Sequence, residues 1–153
     1  FIINTLIMDK KEIITLMMNT ITDKVTHLQD LISGVRASNT DTKSSMGDKY
    51  ETSREMLQQE ITMLQRQLSE VLEQQKVIQK LTFQNHDKAV LGALVETNAG
   101  TFYISSGLGE LKYKGVKVMC ISAQSPLAKA MMGKGKNESF TINGNIQQIK
   151  KVV

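Results

Sequence analysis

Residues 57–78 read LQQEITMLQRQLSEVLEQQKVI, and this stretch decides the fold of the first half of the chain. Its aliphatic residues recur at alternating intervals of four and three, with Gln75 in the same register, at Leu57, Ile61, Leu64, Leu68, Val71 and Ile78. This spacing aligns one apolar stripe along a helix, as the a and d positions of a coiled coil do. The stretch therefore predicts a long helix that packs its stripe against a second helix.

A second stripe with the same spacing precedes the first, at Ile14, Met18, Ile21, Val25, Leu28, Ile32 and Val35. Between the stripes, residues 37–47 are crowded with Ser, Asn, Thr, Asp and Gly, which favour turns and caps over helix interiors. We therefore expect helices at about 10–36 and 49–81, packed antiparallel within one chain, each about 42 Å long at 1.5 Å per residue. A coiled coil formed between separate chains is the alternative.

The pattern changes after residues 82–87, which form a predicted linker. Short runs of β-branched or alternating apolar residues then predict strands at 90–96, 101–105, 116–121, 139–142 and 146–152. Ser125-Pro126 opens a short helix, which Gly133 follows, and Asn143-Gly144 is a hairpin turn. We expect an α+β protein: an antiparallel helical hairpin, then a small antiparallel β domain with one short helix.

Charge is distributed unequally along the chain. Residues 1–83 hold 10 Lys and Arg against 11 Asp and Glu, whereas residues 84–153 hold 9 against 4. The run Lys112, Lys114 and Lys117 carries part of this excess. A basic second half indicates an acidic or polyanionic partner surface, or else a merely solvated basic face.

Residues 1–8 are predicted to be an N-terminal extension. Residues 1–7 are apolar but too few to span a bilayer, which takes roughly 20 residues, and Met8 is a natural translation start. We divide the rest into a hairpin at 9–83, with its tip at 38–48, and a β domain at 84–153. No later segment is apolar enough to cross a membrane, and we expect a cytoplasmic monomer.

Residues suited to catalysis are few. Cys120, the single cysteine, lies in an apolar strand, and the histidines, His27 and His86, are predicted outside the sheet. A thiol nucleophile needs a nearby base, so we expect Cys120 to be a buried structural residue. One cysteine also excludes an intrachain disulfide and a cysteine-rich zinc site. We therefore expect no enzyme and no cofactor bound by the chain alone.

Two stretches resemble the Gre family of transcript cleavage factors. Residues 121–134, ISAQSPLAKAMMGK, are similar to the signature of the Gre C-terminal domain, in which a strand runs into Ser-Pro-aliphatic-Ala-basic and then aliphatic-Gly-Lys. Residues 48–55, DKYETSRE, resemble the Tyr-x-x-x-Arg-Glu stretch just past the tip of the Gre coiled coil. The resemblance covers essentially residues 9–153 and agrees in order, hairpin first and β domain second.

The resemblance implies an elongation factor that binds RNA polymerase. Gre factors insert the coiled-coil tip into the secondary channel, where tip acids help to hold a magnesium ion and the polymerase itself cleaves backtracked RNA. Their C-terminal domain, of FKBP-like fold, docks at the channel rim, and the matching candidates here are Ser125, Pro126, Lys129 and Lys134. Mg²⁺ is often held by one or two carboxylates with phosphates, so an ion shared with polymerase is chemically reasonable. Contact with nascent RNA would be indirect.

The tip is where the sequence departs from the family. Gre tips carry an Asp followed three residues later by a Glu, whereas Asp41 here is followed by Ser44. Asp48 is a second candidate carboxylate for the shared magnesium, and Glu51 lies further along the helix. Two activities at the channel therefore stay open: stimulation of RNA cleavage, and regulation without cleavage.

The tip residues also have structural interpretations. Asp41 and Asp48 suit a turn and a helix cap. Tyr50 and Arg54 would support the tip, but they fall on the apolar stripe and suit packing at the hairpin end. Three functions stay open: a cleavage-stimulating factor, a channel regulator that does not stimulate cleavage, and a coiled-coil adaptor unrelated to transcription.

Overall fold

A computed structural model describes residues 8–41 and 48–153, with side chains throughout except at 39–41 and 48–52. Two long helices come first, α1 at Lys10–Asp41 and α2 at Asp48–Lys80. Six strands and a short helix follow: β1 Leu94–Thr97, β2 Gly100–Ser105, β3 Gly109–Tyr113, β4 Val116–Ser122, α3 Pro126–Met131, β5 Ser139–Ile142 and β6 Asn145–Val152. The predicted α+β class, with helices first and sheet second, is confirmed.

The two long helices pack along the predicted stripes. Leu28 and Ile32 of α1 form a buried cluster with Leu64 of α2. Each helix is about 48 Å long at 1.5 Å per residue, whereas the chain between Asp41 and Asp48 spans at most about 25 Å. Only an antiparallel arrangement lets so short a connection join two helices that pack at their middles, so the helices form a hairpin.

The six strands form one sheet in the order β3-β4-β2-β1-β6-β5. Neighbouring strands are antiparallel except β2 and β4, which pair in parallel from Thr101↔Val118 to Ser105↔Ser122. The expectation of an antiparallel sheet is therefore corrected to a mixed sheet. The cause is the placement of β3, which follows β2 in the chain but lies at the sheet edge, so that the β3–β4 hairpin returns β4 alongside β2 in the same direction.

Strand β3 is not predicted by the sequence pattern. Its five residues, GELKY, include a glycine and two charged side chains, and only Leu111 and Tyr113 are apolar. Because an edge strand can bury only one of its two faces, two apolar residues at alternate positions are enough to hold it in the sheet. A two-residue turn joins β3 to β4, with positive φ at Lys114 (49°) and Gly115 (80°), as a type I′ hairpin turn requires.

The sheet buries side chains on both of its faces. On one face, apolar residues of the strands pack with α3 in a cluster that includes Val95, Phe102, Ile104, Ala128, Met131, Phe140 and Ile149. On the other face, the alternate strand positions Leu94, Tyr103, Val118 and Cys120 are at most 3% exposed. Because successive strand residues point to opposite sides, the two sets follow from the same strands.

The chain forms two compact units. One is Asn19–Gln75, which holds most of both long helices. The other is Lys76–Val153 with the described part of Phe1–Met18, so the first turns of α1 belong to the sheet unit. The predicted division at residues 83 and 84 stays a prediction. Within the described ranges, no helix is long and apolar enough to cross a membrane.

Candidate functional site

The predicted tip acids lie at the helix ends where the chain reverses. Asp41 is the last residue of α1 and Asp48 the first of α2. The side chains of both lie outside the described residues, as do those of Tyr50 and Glu51, and Ser44 lies outside them altogether. Magnesium binding by Asp41 and Asp48 therefore stays a prediction.

Arg54, predicted to support the tip, has a described side chain. It is half-buried, and its Nε has no hydrogen-bond partner among the described residues. Burying a guanidinium N–H without an acceptor costs free energy. A partner that offers an oxygen atom here would therefore stabilise this end of the hairpin.

The signature residues Ser125 and Pro126 build the entrance to α3. Ser125 is its N-cap: the Oγ accepts a hydrogen bond from the Ala128 amide at 3.2 Å and donates one to the Ser122 carbonyl at 2.7 Å. Pro126 follows at the start of the helix, where an N–H group would have no acceptor within the helix, so its absence costs no hydrogen bond. The predicted cap and helix start are confirmed.

Gly133 of the signature and Gly135, just after it, fix the end of this stretch against a neighbouring segment. Gly133 has a φ of 79°, and its amide donates to the Ala89 carbonyl at 2.8 Å. A Cβ on Gly135 would stand 2.9 Å from the Asp87 carbonyl oxygen, closer than real side chains come. Both positions need glycine for backbone reasons. Much of the signature is therefore explained by folding alone.

The signature also presents an exposed surface. Pro126, Lys129 and Met132 are exposed, while Ser125 and Lys134 are half-buried. A cation beside apolar side chains suits an acidic protein surface. Docking of a partner through Ser125, Pro126, Lys129 and Lys134 stays a prediction.

A second constellation lies at the β3–β4 turn, where sequence reasoning saw only basic residues. The Tyr113 hydroxyl donates a hydrogen bond to Oε1 of Glu12, in the first turn of α1. Lys114 Nζ lies 3.4 Å from the same oxygen and 5.3 Å from the Tyr113 ring centroid, a cation–π distance. The hydrogen bond from Tyr113, and then that from Lys114, lowers the pKa of Glu12. Hydrogen bonding with Tyr113 and Glu12 raises the pKa of Lys114.

Cys120 and Tyr103 are register partners across the parallel strands β4 and β2. Burial raises the pKa of the Cys120 thiol to about 11 and that of Tyr103 to about 12. The Tyr103 hydroxyl has no hydrogen-bond partner in the described part of the chain. A thiol kept protonated in an apolar setting is a poor nucleophile, in agreement with a structural role for Cys120.

Lys10, at the start of α1, is buried with only 4% of its surface exposed. Its Nζ donates a hydrogen bond to the Gln84 carbonyl at 2.8 Å, which ties the start of α1 to the segment after α2. Burial lowers the pKa of Lys10 to about 8. Its ammonium group therefore loses its proton much closer to neutral pH than that of an exposed lysine.

A metal site is not formed by the side chains that the structure describes, among which no group of three or more His, Cys, Asp or Glu is placed to hold an ion. The features suited to binding are the Lys129 surface on α3 and the Glu12–Tyr113–Lys114 contact in the sheet unit.

Comparisons with known proteins give distant structural likenesses. No protein-family model matches the sequence, and the comparison with curated proteins finds no match either. The chain is similar to the GreA factor homolog 1 (Gfh1) protein of Thermus thermophilus, with 13% identity and a TM-score of 0.37 over 89% of this chain and 94% of that one. It is similar to a transcription factor Gfh1 (TM-score 0.36) and to Thermus aquaticus Gfh1 (0.33), each 13% identical over 88% of this chain and 92% of the other.

Proposed function

We propose that this protein binds RNA polymerase and acts on transcription elongation through the secondary channel of the polymerase. One observation carries the proposal: a single chain combines a long helical hairpin with a sheet unit that bears the Ser-Pro helix entrance of α3. The two stretches that resemble Gre factors fall at the start of α2 and at the β4–α3 junction. These are the two places where a channel-binding factor needs a tip and a docking surface.

The hairpin suits a narrow, water-filled channel because it is only two helices wide. An α-helix with its side chains is about 10 Å across, so the arm is about 20 Å wide and about 48 Å long. Its seam residues Leu28, Ile32 and Leu64 are turned inward, and most of the described outer positions carry polar side chains. Such an arm can enter water without exposing its apolar stripe.

The sheet unit would supply affinity at the channel rim. Residues 84–153 carry 9 basic against 4 acidic residues, and Lys129 is exposed on α3. Charge complementarity with an acidic rim would speed association and make it sensitive to salt. The protein needs no catalytic residue of its own in this role, since the chemistry belongs to the polymerase.

We further propose that the end of the hairpin stimulates cleavage of RNA by the polymerase. Asp41 and Asp48 end one helix and begin the next, separated by only six residues. One or two carboxylates suffice to help hold a magnesium ion whose other ligands come from polymerase and RNA phosphates. The chain would thus complete a metal site that it does not itself form.

A second candidate function is regulation of the channel without stimulation of cleavage. The observation that favours it is Ser44, which stands where Gre tips carry a Glu. A hydroxyl is a weaker magnesium ligand than a carboxylate because it brings no charge. The arm would then occupy the channel and change access to it.

The test is a cleavage assay on stalled elongation complexes, with co-purification of polymerase measured in parallel. We expect the full chain to bind polymerase and to shorten the RNA in a magnesium-dependent reaction. Asp41→Asn and Asp48→Asn should keep binding and reduce cleavage, whereas Asp30→Asn, an exposed position on α1, should change neither. Lys129→Glu should weaken binding, and Lys150→Glu, exposed on β6, serves as its control.

The outcomes separate the candidates. Binding without cleavage, unchanged by the two Asp substitutions, would leave the channel regulator and reduce Asp41 and Asp48 to turn and cap residues. Absence of polymerase binding by the full chain would overturn the proposal and leave the coiled-coil adaptor.

A further inference from the structure

The start of α1 and the β3–β4 turn form the two sides of an open groove that the proposed function does not use. The groove has a volume of about 550 Å³ and is lined mainly by Lys11, Glu12, Leu16, Lys112, Tyr113 and Lys114. We infer that this groove binds an acidic segment of a partner protein. An aliphatic side chain of that segment would lie against Leu16, and its carboxylates would lie against Lys11 and Lys112. The inference does not depend on polymerase binding.

The groove is held in shape by contacts between its two sides. The Tyr113 hydroxyl donates to the Glu12 carboxylate, and Lys114 Nζ lies 3.4 Å from that carboxylate. Tyr113 itself is only 3% exposed, so its ring forms part of the wall rather than a free surface. A groove that is already ordered costs a ligand less entropy on binding.

Uncompensated positive charge borders the groove. Lys11 and Lys112 are exposed, and within the described ranges neither takes part in an ion pair. Lys112 lies directly opposite Lys117 on β4, where like charges repel. Lys117 lies 3.7 Å from Glu110, so it is partly neutralised, while Lys112 is not. A carboxylate placed in the groove would relieve this repulsion.

The apolar part of the groove favours a protein ligand over a nucleic acid. Leu16 is 36% exposed and offers an aliphatic surface that a leucine or isoleucine side chain would cover. Bases instead bind by stacking on exposed aromatic faces, but the Tyr113 ring is buried and has the Lys114 ammonium over it. The combination of lysines around an aliphatic patch therefore matches an acidic peptide.

The test is a nuclear magnetic resonance titration of the ¹⁵N-labelled full chain. The probe is a synthetic peptide of alternating Glu and Leu, and the control peptide carries Gln in place of every Glu. We expect the acidic peptide to shift the amide signals of Leu16, Lys112, Tyr113 and Lys114, and raised salt to weaken its binding. The Gln peptide should leave these signals in place. An oligouridylate RNA is titrated as a third arm.

Charge variants test which lysines bind the peptide. Replacing Lys11 and Lys112 together by Gln should weaken peptide binding about tenfold, since each exposed ion pair contributes modestly. The matched control replaces Lys136 and Lys150, both exposed and in the same unit, so that the net charge is identical. Peptide affinity of the control should stay within about twofold of the original chain.

A second pair of variants tests the aliphatic contact. Leu16→Glu places a like charge in the groove and should weaken binding at least about tenfold. Leu31→Glu is the control, because Leu31 is equally an exposed leucine on α1, at 41%, but lies in the other compact unit. Both positions are exposed, so circular dichroism should show unchanged helix content.

Several results would overturn the inference. They are a titration in which the acidic peptide leaves the groove signals in place, equal loss of affinity in the two Lys-to-Gln pairs, and groove shifts caused by the RNA instead of the peptide. Groove shifts that appear with rising protein concentration, without any peptide, would assign the groove to a second copy of this chain. If a variant fails to fold, the amide signals that the peptide shifts in the unmodified chain still show whether it binds in the groove.

Discussion

The middle of the hairpin and the core of the sheet unit bury their apolar side chains to different extents, although Ile21, near the start of the hairpin unit, is fully buried as well. In the hairpin, the seam residues Leu28, Ile32 and Leu64 keep between 5% and 8% of their surface exposed, because two helices cover only one stripe of each other. In the sheet unit, Ile104 and Ile149 are fully buried. The hairpin thus divides its stability among repeated layers, whereas the sheet unit depends on a closed core.

A charge in the hairpin seam should have the largest effect. Leu64→Asp buries an unpaired carboxylate between the helices, and we expect the hairpin to lose several kcal/mol of stability, about 3 or more. The loss of helix signal in circular dichroism measures it. Met63→Asp is the control, since Met63 is 50% exposed on the same helix. Equal melting of both variants would show that the seam is not the buried side.

Truncation of one aliphatic residue in each unit compares the two cores directly. Ile149→Ala should cost about 3 to 4 kcal/mol, whereas Ile32→Ala should cost about 2, because a seam open to solvent closes more readily around the lost atoms. Urea unfolding, followed by hydrogen exchange in each unit, gives the two values. A larger loss at Ile32 would reverse the comparison.

The buried Lys10 should make the stability of the sheet unit depend on pH. Its pKa is about 8 in the folded chain against an ordinary value of 10.5, so between these values the unfolded chain binds more protons and stability rises with pH. Lys10→Met removes the buried charge but also the hydrogen bond to the Gln84 carbonyl, so we expect a net stabilisation at pH 7 of about 1 to 2 kcal/mol, less than the pKa shift alone would give. That gain should shrink between pH 8 and 10.5, as denaturant unfolding at several pH values would show. A gain that stays constant with pH would place Lys10 in water.

The smallest effect is expected at the helix cap of α3. Ser125→Ala removes the bond to the Ala128 amide and should cost about 1 kcal/mol. Ser125→Asp restores an acceptor and should recover most of it, as measured by thermal unfolding. If Ser125 acts only by shaping α3, polymerase binding should weaken in Ser125→Ala and recover in Ser125→Asp.

The hairpin could be predicted from the sequence because each apolar stripe is formed by residues only three or four positions apart in the chain. The expected α2 at 49–81 is Asp48–Lys80 in the structure. The sequence predicts that α1 ends near residue 36, but the helix continues to Asp41. One reason is that Ser38 donates its hydroxyl proton to the Gly34 carbonyl at 3.1 Å, which lets a turn-forming residue stay in a helix.

The sheet was less predictable because its pairing is decided between distant residues. Short polar edges such as β3 carry no clear period, and nothing local to β2 states that β4 will pair with it in parallel. The groove depends on a hydrogen bond between Glu12 and Tyr113, which are 101 residues apart in the chain. The start of α3, by contrast, could be predicted because its cap, Ser125, and its first residue, Pro126, are adjacent in the sequence.

The position of β6 in the sheet has a consequence for the newly made chain. β6 lies between β1 and β5 in the sheet, although it follows both of them in the chain. Until residues 145–152 leave the ribosome, the edge of β1 that they cover stays unpaired and open to other chains. The compact unit Asn19–Gln75 ends before the first strand begins, so it can fold before β6 is made. A ribosome stalled before residue 145 would therefore carry a folded unit Asn19–Gln75 together with a sheet in which β1 still lacks one neighbour.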